Sequence, residues 1–546
     1  MTYEKDIPEY AMQPAKAPKV IPAEAVYHTQ TLMCPAEEQT VIYRFEEDIL
    51  VPDTKADMRQ ILLMDAHCDI SPSEKKVSPK TDDLLNLTGI ITIQTLYAAE
   101  GESQLPVSII SKVPYKYQWS LNPSNQGEGV FSCCVKNLDY MIVNERKFRV
   151  KITLEFTGRL FCKQEFRFFD GLKDETLETR KEQVQMSCLE LVKQDTVSVN
   201  ETFKGRDSSV VPQQILKQDF TIAENYLQVT TDKVVINGFI FCSLLYCGEK
   251  EDDGVQAVCQ HEQRIEFTQF IPIDKDHRGK TWNTVKTFFE GKNLEAEICR
   301  EEEEPSAVSF RVKGDVSVRA ELYGLYSREV AVDAYHREKN FQCSFTRKKV
   351  SGAMERAVSE VQIREMVPLP EGAKGAAAIY CMGTPLDCEG GCGNGKITAE
   401  GSVLCDILWK DQEENFHSIK RNLDFRSTLD SDSAGNRKQA VFTAQVKSAT
   451  AELIGEKQIE VICTVFVQAE IYEDCEIIML EQPCFSEKTG EKEYPMVIVT
   501  LKKGETIWDL AKRYNTTIPA ILAANQLDGE EALPRDQLLL IPRKRG

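Results

Sequence analysis

A glycine set inside a β-rich run recurs three times along this chain. Leu87-Thr88-Gly89-Ile90, Ile236-Asn237-Gly238-Phe239 and Ala399-Glu400-Gly401-Ser402 each open a run with an aromatic eight residues past the glycine: Tyr97, Tyr246 and Trp409. An acidic turn follows each time (AEGESQ, GEKEDDG, KDQEEN), then a second strand-like run (SIISKVPYKYQWSL, RIEFTQFIPI, FHSIKRNLDF). Long segments such as KFRVKITLEFTGRLF, SFRVKGDVSVRAELYGLY and KQIEVICTVFVQAEIY close each unit. Period-two alternation of this kind marks strands with one buried face. The spacing is 149 residues from Gly89 to Gly238 and 163 from there to Gly401, so each copy is a domain and not a solenoid unit. A glycine within a strand points to a bulge or a close backbone approach.

The expected fold is therefore mainly β: three tandem antiparallel β-sandwich-like domains, followed by a small α+β domain of βααβ order. The boundaries read as an N-terminal arm over 1–37, β repeats over 38–180, 181–345 and 346–485, a charged linker over 486–493, and the last domain over 494–546. Helical periodicity before the C-terminal domain is scarce. Its candidates are Asp57–Met64, Glu175–Cys188 and Lys280–Phe289.

The last fifty or so residues have a different grammar. Val497-Ile498-Val499 reads as a strand, stopped by the turn Lys502-Lys503-Gly504. Thr506 stands at an N-cap with Asp509 three residues on, and Ile507, Leu510, Ala511 and Tyr514 follow at helical spacing, with Asn515 as a left-handed stop. Thr517 caps a second helix carrying Ile518, Ile521 and Leu522, and Leu538–Ile541 supplies the second strand. The words GETIWDLAKRY, TIPAILAANQL and LLLIP resemble a LysM domain, a module best known for binding N-acetylglucosamine-containing glycans. By that resemblance a glycan would lie between the Gly504–Thr506 loop and the segment after Asn525, touching Gly504, Glu505, Thr506, Asn525, Gln526 and Leu527. Glu505 stands where the family usually has Asp, and Asp536 where it has Gly.

Alternation along the last strand puts Leu539 and Ile541 against the helices and Leu538 and Leu540 outward. An exposed apolar patch of this kind marks a protein-binding face or an edge packed on the rest of the chain. The candidate partner-binding set is Trp508, Leu538 and Leu540 with the neighbouring cations Lys502 and Lys503.

The stretch Val51-Pro52-Asp53-Thr54-Lys55-Ala56-Asp57-Met58 followed by Arg59-Gln60-Ile61-Leu62 resembles the VPDxKPDI-x-x-IL signature of a β-rich domain that recurs in clostridial spore proteins. Fainter versions are Val210–Lys217 and Met366–Gly372. Such repeats ahead of a single C-terminal LysM resemble the clostridial SipL-like spore coat morphogenetic proteins. That resemblance implies a non-enzymatic scaffold in the mother-cell cytoplasm, at the forespore surface. Its LysM would engage the morphogenetic ATPase that forms the basement layer of the coat. The competing expectation is a peptidoglycan or N-acetylglucosamine binder of wall or cortex.

Charge narrows the partners. The last domain carries eight Lys/Arg against six Asp/Glu, a net +2, so the rest of a chain of net charge −20 carries −22. Phosphate backbones need a basic surface, which argues against nucleic acid. No apolar run approaches the ~20 residues of a membrane helix, and the first residues lack the apolar core of a signal peptide. The 18 cysteines sit mostly within strand-like runs, as small buried hydrophobes that a reducing compartment keeps as thiols.

Catalytic candidates are few. Cys381, Cys388 and Cys392 in CMGTPLDCEGGCGNG are too loosely spaced for a zinc site and read as a Gly-rich exposed loop. His67-Cys68-Asp69 cannot act as a relay if it is a strand, since neighbours there face opposite ways. Glu301–Glu304 reads as a solvated turn. No catalytic residue, metal or cofactor is expected.

Overall fold

A computed structural model describes residues 20–72, 84–101, 105–120, 128–173, 176–205, 209–251, 254–300, 308–393, 396–430, 438–486, 495–500, 502, 505–527 and 538–542. A short strand β1 (Val20–Pro22) precedes three units with one topology. The first unit is β2 (Ala25–Leu50), β3 (Met58–Pro72), β4 (Leu84–Ala99), β5 (Val107–Ser120), β6 (Glu128–Asn144) and β7 (Lys147–Leu172). The second is β8 (Glu178–Phe203), β9 (Val210–Val229), β10 (Lys233–Lys250), β11 (Gln256–Pro272), β12 (Thr284–Arg300) and β13 (Val308–Tyr335). The third is β14 (Asn340–Pro368), β15 (Gly375–Gly393), β16 (Lys396–Asp411), β17 (Phe416–Leu429), β18 (Lys438–Ile454) and β19 (Gln458–Ser486). In each, the middle three strands form an antiparallel meander, and the long first and last strands pair with the fifth beside them. The sheets are β3-β4-β5 over β2-β7-β6, β9-β10-β11 over β8-β13-β12, and β15-β16-β17 over β14-β19-β18.

The alternation read in the long segments is what closes each sandwich. Phe148, Val150, Ile152, Leu154 and Phe156 on β7 all point inward and meet Ile91, Ile93, Ile109 and Trp119 of the facing sheet. The recurrent glycines serve these cores by steric necessity. Gly89, Gly238 and Gly401 lie opposite Tyr115, Phe267 and Phe425 on the next strand. The ring crosses the glycine so closely that a Cβ on Gly238 would come within 2.5 Å of Phe267 Cζ. At Gly89 the space admits the Tyr115 hydroxyl, which donates to the Asp69 carbonyl on β3 at 3.0 Å.

The Val51–Asp57 signature is a turn tied to the adjacent β6–β7 turn of its own sandwich. Lys55 N–H donates to Pro52 O at 2.9 Å, and the Tyr97 hydroxyl to Ala56 O at 2.6 Å. Arg146, at the β6–β7 turn, reaches Lys55 O and Asp57 Oδ1, both at 2.8 Å, and Asp53 Oδ1 at 3.2 Å. In the third unit Ala373 N–H donates to Pro370 O at 3.0 Å in the matching place, so the faint copy at Met366–Gly372 performs the same turn.

Several expectations need correction. The helices expected over Asp57–Met64, Glu175–Cys188 and Lys280–Phe289 are not helical where described: these residues form the starts of β3, β8 and β12 and the irregular segments just before them. Ile61, Leu62, Leu63 and Met64 are consecutive and apolar because β3 is buried on both faces: Ile61 and Met64 enter the sandwich core, Leu62 and Leu63 enter a junction between repeats. A bulge between Ile61 and Leu63 breaks the simple alternation. The Cys381–Cys392 stretch is strand β15 and not a loop, with Cys388 paired to Gly401. Residues 25–37, read as arm, are the first half of β2. Glu301–Glu304 lies outside the described residues.

Among the apolar clusters that join the three sandwiches, two bring together equivalent or facing strands of all three. In one, Leu96, Leu245 and Leu408, equivalent positions seven residues past the repeat glycine, come together with Leu63, Leu216 and Tyr380. In the other, Phe166 and Phe168 of the first repeat meet Val330 and Val332 of the second and Ile477 and Met479 of the third. The cross-strand partners of the three leucines are Leu63, Lys217 and Tyr380. Lys217, only 2% exposed, sits at this junction with its ammonium 3.3 Å from Asp65 of the first repeat and in contact with Asp219. The Tyr380 hydroxyl of the third repeat donates to the same Asp219. Burial raises the Asp219 carboxyl, and repulsion from Asp65 adds to it. Burial also pushes Asp65 up, but attraction to Lys217 and hydrogen bonds bring it below its ordinary value. Lys217 thus lies against two carboxyl groups whose environments push their proton affinities in opposite directions. Gln94 adds a pair of hydrogen bonds to the Gln218 backbone, at 2.8 and 3.2 Å.

Candidate docking surface on the C-terminal module

The C-terminal module comprises β20 (Met496–Thr500), α1 (Ile507–Arg513), α2 (Ile518–Asn525) and β21 (Leu538–Pro542). Thr506 and Asp509 form a reciprocal capping box: Asp509 N–H donates to Thr506 Oγ1 at 3.3 Å and Thr506 N–H to Asp509 Oδ2 at 2.9 Å. Thr517 caps α2 by accepting from Ala520 N–H at 3.2 Å. Asn515 takes φ +51°, and so does its counterpart after α2, Gln526, at +54°. Ile507, Leu510, Ala511 and Ile521 close on Leu539 and Ile541 of β21 to make the module's core.

Side chains named by the glycan resemblance are largely engaged inside the module. Asn525 Nδ2 donates to Ile521 O at 2.8 Å and Leu540 O at 2.7 Å, and its Oδ1 accepts from Leu540 N–H at 2.7 Å. It is a clamp between α2 and β21. Glu505 pairs with Arg513 and accepts from Lys502 N–H at 3.2 Å; that backbone bond, then Arg513, lowers its carboxyl below the usual range. Thr506 is occupied by the capping box. Gln526 is exposed and Leu527 half-buried. Lys503, Gly504 and Asp536 lie outside the described residues, as does the expected linker beyond Ser486.

Trp508 is not on an open face, contrary to its place in the sequence-derived partner set. It is 6% exposed, stacked edge-on against Tyr335 at the end of β13 with ring centroids 5.0 Å apart. Its indole N–H donates to Asp333 Oδ2 at 2.7 Å, and Lys512 pairs with Asp333 Oδ1 at 2.6 Å. The Tyr335 hydroxyl donates to Thr516 O at 2.5 Å. Helix α1 thereby seats the module on the second sandwich. Nothing in the sequence marked Asp333 or Tyr335, because their partner lies some 175 residues away.

The opposite face of the module is different. In the β20–β21 register, Ile498 lies across from Leu540, Met496 from Pro542 and Thr500 from Leu538. Leu539 and Ile541 point inward, leaving Leu538 66%, Ile498 65% and Met496 55% exposed, with Leu540 half-buried. The alternation that placed Leu538 and Leu540 outward holds. Sequence reasoning missed that Met496 and Ile498 extend this face across the second strand, although the same period-two rule applied to β20 identifies both.

Two family models match the chain. Residues 499–542 match the LysM domain, and residues 212–299, from β9 into β12, match the SipL, SPOCS domain. No curated protein and no solved structure matches it. The molecule is thus a mainly β protein of tandem sandwiches with a βααβ module at its C-terminus. Over these two segments it is similar to SipL-like proteins with a C-terminal LysM domain, a combination that fits a sporulation-related protein.

Proposed function

We propose that this protein is a non-enzymatic scaffold for spore coat assembly. It acts in the mother-cell cytoplasm at the forespore surface and docks through its LysM domain onto the morphogenetic ATPase of the coat's basement layer. The observation that supports this reading is the outer sheet face formed by Met496, Ile498, Leu538 and Leu540. Three of these side chains are more than half exposed, while the helical side of the same module is covered by Tyr335 and Asp333. Contiguous apolar surface rimmed by polar residues is the usual mark of a protein contact. Lys502 and, on the sequence, Lys503 add positive charge beside it. Both matched families are non-catalytic domains, which is consistent with a scaffold.

LysM modules are also glycan binders, and the Glu505–Thr506 and Asn525–Leu527 segments are the place for such a ligand here. The test uses the full chain, because Trp508 shares its packing with Tyr335. Wild type and an Ile498→Ser/Leu538→Ser variant are assayed against the coat-basement ATPase and against N-acetylglucosamine oligomers. The expected outcome is ATPase binding that weakens at least tenfold in the variant. Glycan binding that survives the substitutions, with no ATPase binding, overturns the scaffold reading.

A further inference from the structure

Among the described cysteines, Cys68 on β3 and Cys133 on β6 stand apart. Their sulfurs are 3.3 Å from each other, although the residues are 65 positions apart and belong to opposite sheets of the first sandwich. Both are half-buried, so the sulfurs lie at the edge of the core and not in its centre. Packing alone does not require thiols at this place. The register of the repeat glycines makes Ile222 of β9 and Pro385 of β15 the counterparts of Cys68, since each pairs with the residue two past the glycine: Ile91, Ile240 or Val403. The second and third repeats therefore fill the position with hydrocarbon, and Ile222 does so against the strand β12 that corresponds to β6.

We propose that Cys68 and Cys133 are an oxidation-dependent staple, a modification site that joins the two sheets of the first repeat by a disulfide. Closing it needs the two sulfurs, already 3.3 Å apart, to approach to a bond length of about 2.05 Å. The two thiols are also unequal: the hydrogen bond from Cys68 holds the Cys133 thiol below its ordinary value, while that bond and burial push Cys68 up. Thiol–disulfide exchange runs through a thiolate attacking a disulfide sulfur. With a low-molecular-weight disulfide RSSR as oxidant, Cys133 thiolate attacks one sulfur, the S–S bond breaks, and RS⁻ leaves. Cys68, deprotonated, then attacks Cys133 Sγ in the mixed disulfide and expels the second RS⁻. The two protons from the cysteines end on two RSH, so two protein thiols are oxidised and one disulfide is reduced. Cys405 and Cys463, fully buried in the third sandwich, have no comparable access to such a reagent.

The experiment treats the folded full chain with oxidised glutathione, alkylates the remaining thiols and maps them by peptide mass spectrometry. The expected result is a cross-linked peptide joining Cys68 to Cys133, lower by two hydrogens than its reduced parts, together with a raised thermal midpoint. In Cys68→Ser the glutathione adduct should stall on Cys133. The reading is overturned if Cys68 and Cys133 both remain alkylatable while exposed Cys134 is oxidised, or if the adduct accumulates on Cys68. The wild-type map decides the matter even if the variant fails to fold.

Discussion

At the centre of the body, Lys217 lies between Asp65 and Asp219 with three repeats closed around it. At the C-terminal seat, Asp333 receives Trp508 and Lys512 at the rim of one repeat. Both sites place a carboxylate against a cation from a distant part of the chain, yet they differ in what surrounds them. The central cluster is backed by Leu63, Leu96, Leu245 and Leu408, and its ammonium is cut off from water. The seat rests on one aromatic pair, and Lys512 keeps 40% of its side-chain surface. Removing one partner of an enclosed ion pair leaves a charge with nowhere to be solvated, whereas the same loss at a rim is repaired by water. The repeats are thus joined into one body, and the module is hung on it.

The largest effect should come from Lys217→Met. It leaves Asp65 and Asp219 facing each other without a cation, and a cost of about 3–5 kcal/mol is expected in denaturant unfolding. Adding Asp65→Asn and Asp219→Asn should restore most of it, since no buried charge then remains. Asp333→Ala should cost less, about 1–3 kcal/mol, and only at the seat. Amides of α1 should exchange faster with solvent while those of β10 and β16 do not change. Acid should act on the module through its carboxylates. Glu505 and Asp509 are held below their ordinary values, chiefly by hydrogen bonds from backbone N–H of Lys502 and Thr506. Their stabilisation is therefore present above the unfolded-state carboxylate range and is lost as pH falls through the depressed folded values. The opening equilibrium of α1 amides, read from exchange corrected for its intrinsic pH dependence between pH 6 and pH 3, should rise as pH falls, and an Asp509→Asn variant should flatten that rise. The smallest effect on stability is expected for Leu538→Ser, within about 0.5 kcal/mol, because that side chain is already in water.

Much of this plan is legible in the sequence. The repeat glycines, their trailing aromatics and the alternating long segments define the sandwiches, because each residue there answers to one local rule: one face in, one face out. The module is legible for the same reason, as Thr506, Thr517 and Asn515 act on neighbours three or four residues away. What escapes is the second layer of packing. Leu62 and Leu63 broke the alternation and read as helix only because their strand is buried on a face that another repeat covers. The Cys381–Cys392 stretch read as a loop because Gly383, Gly390 and Gly391 interrupt it, yet Gly390 fits there because β16 leaves no room for a Cβ. Trp508 looked like surface because the carboxylate and phenol that hold it lie on β13. Lys217 gave no signal in a chain with 66 basic residues.

The chemistry on the common axis also decides how copies of this chain can mispair. Three second repeats brought together would put three copies of the Lys217–Asp219 pair at one point, with no Tyr380 hydroxyl to donate to Asp219. Three first repeats would gather three copies of Asp65 with no cation, and three third repeats would offer phenols with no acceptor in Asp219. Only the mixed set of Leu63, Lys217 and Tyr380 gives Lys217 both Asp65 and Asp219 and gives Asp219 the Tyr380 hydroxyl. A lobe that replaced its own kind in another molecule would recover all of these contacts, and one that replaced a different lobe would lose some of them.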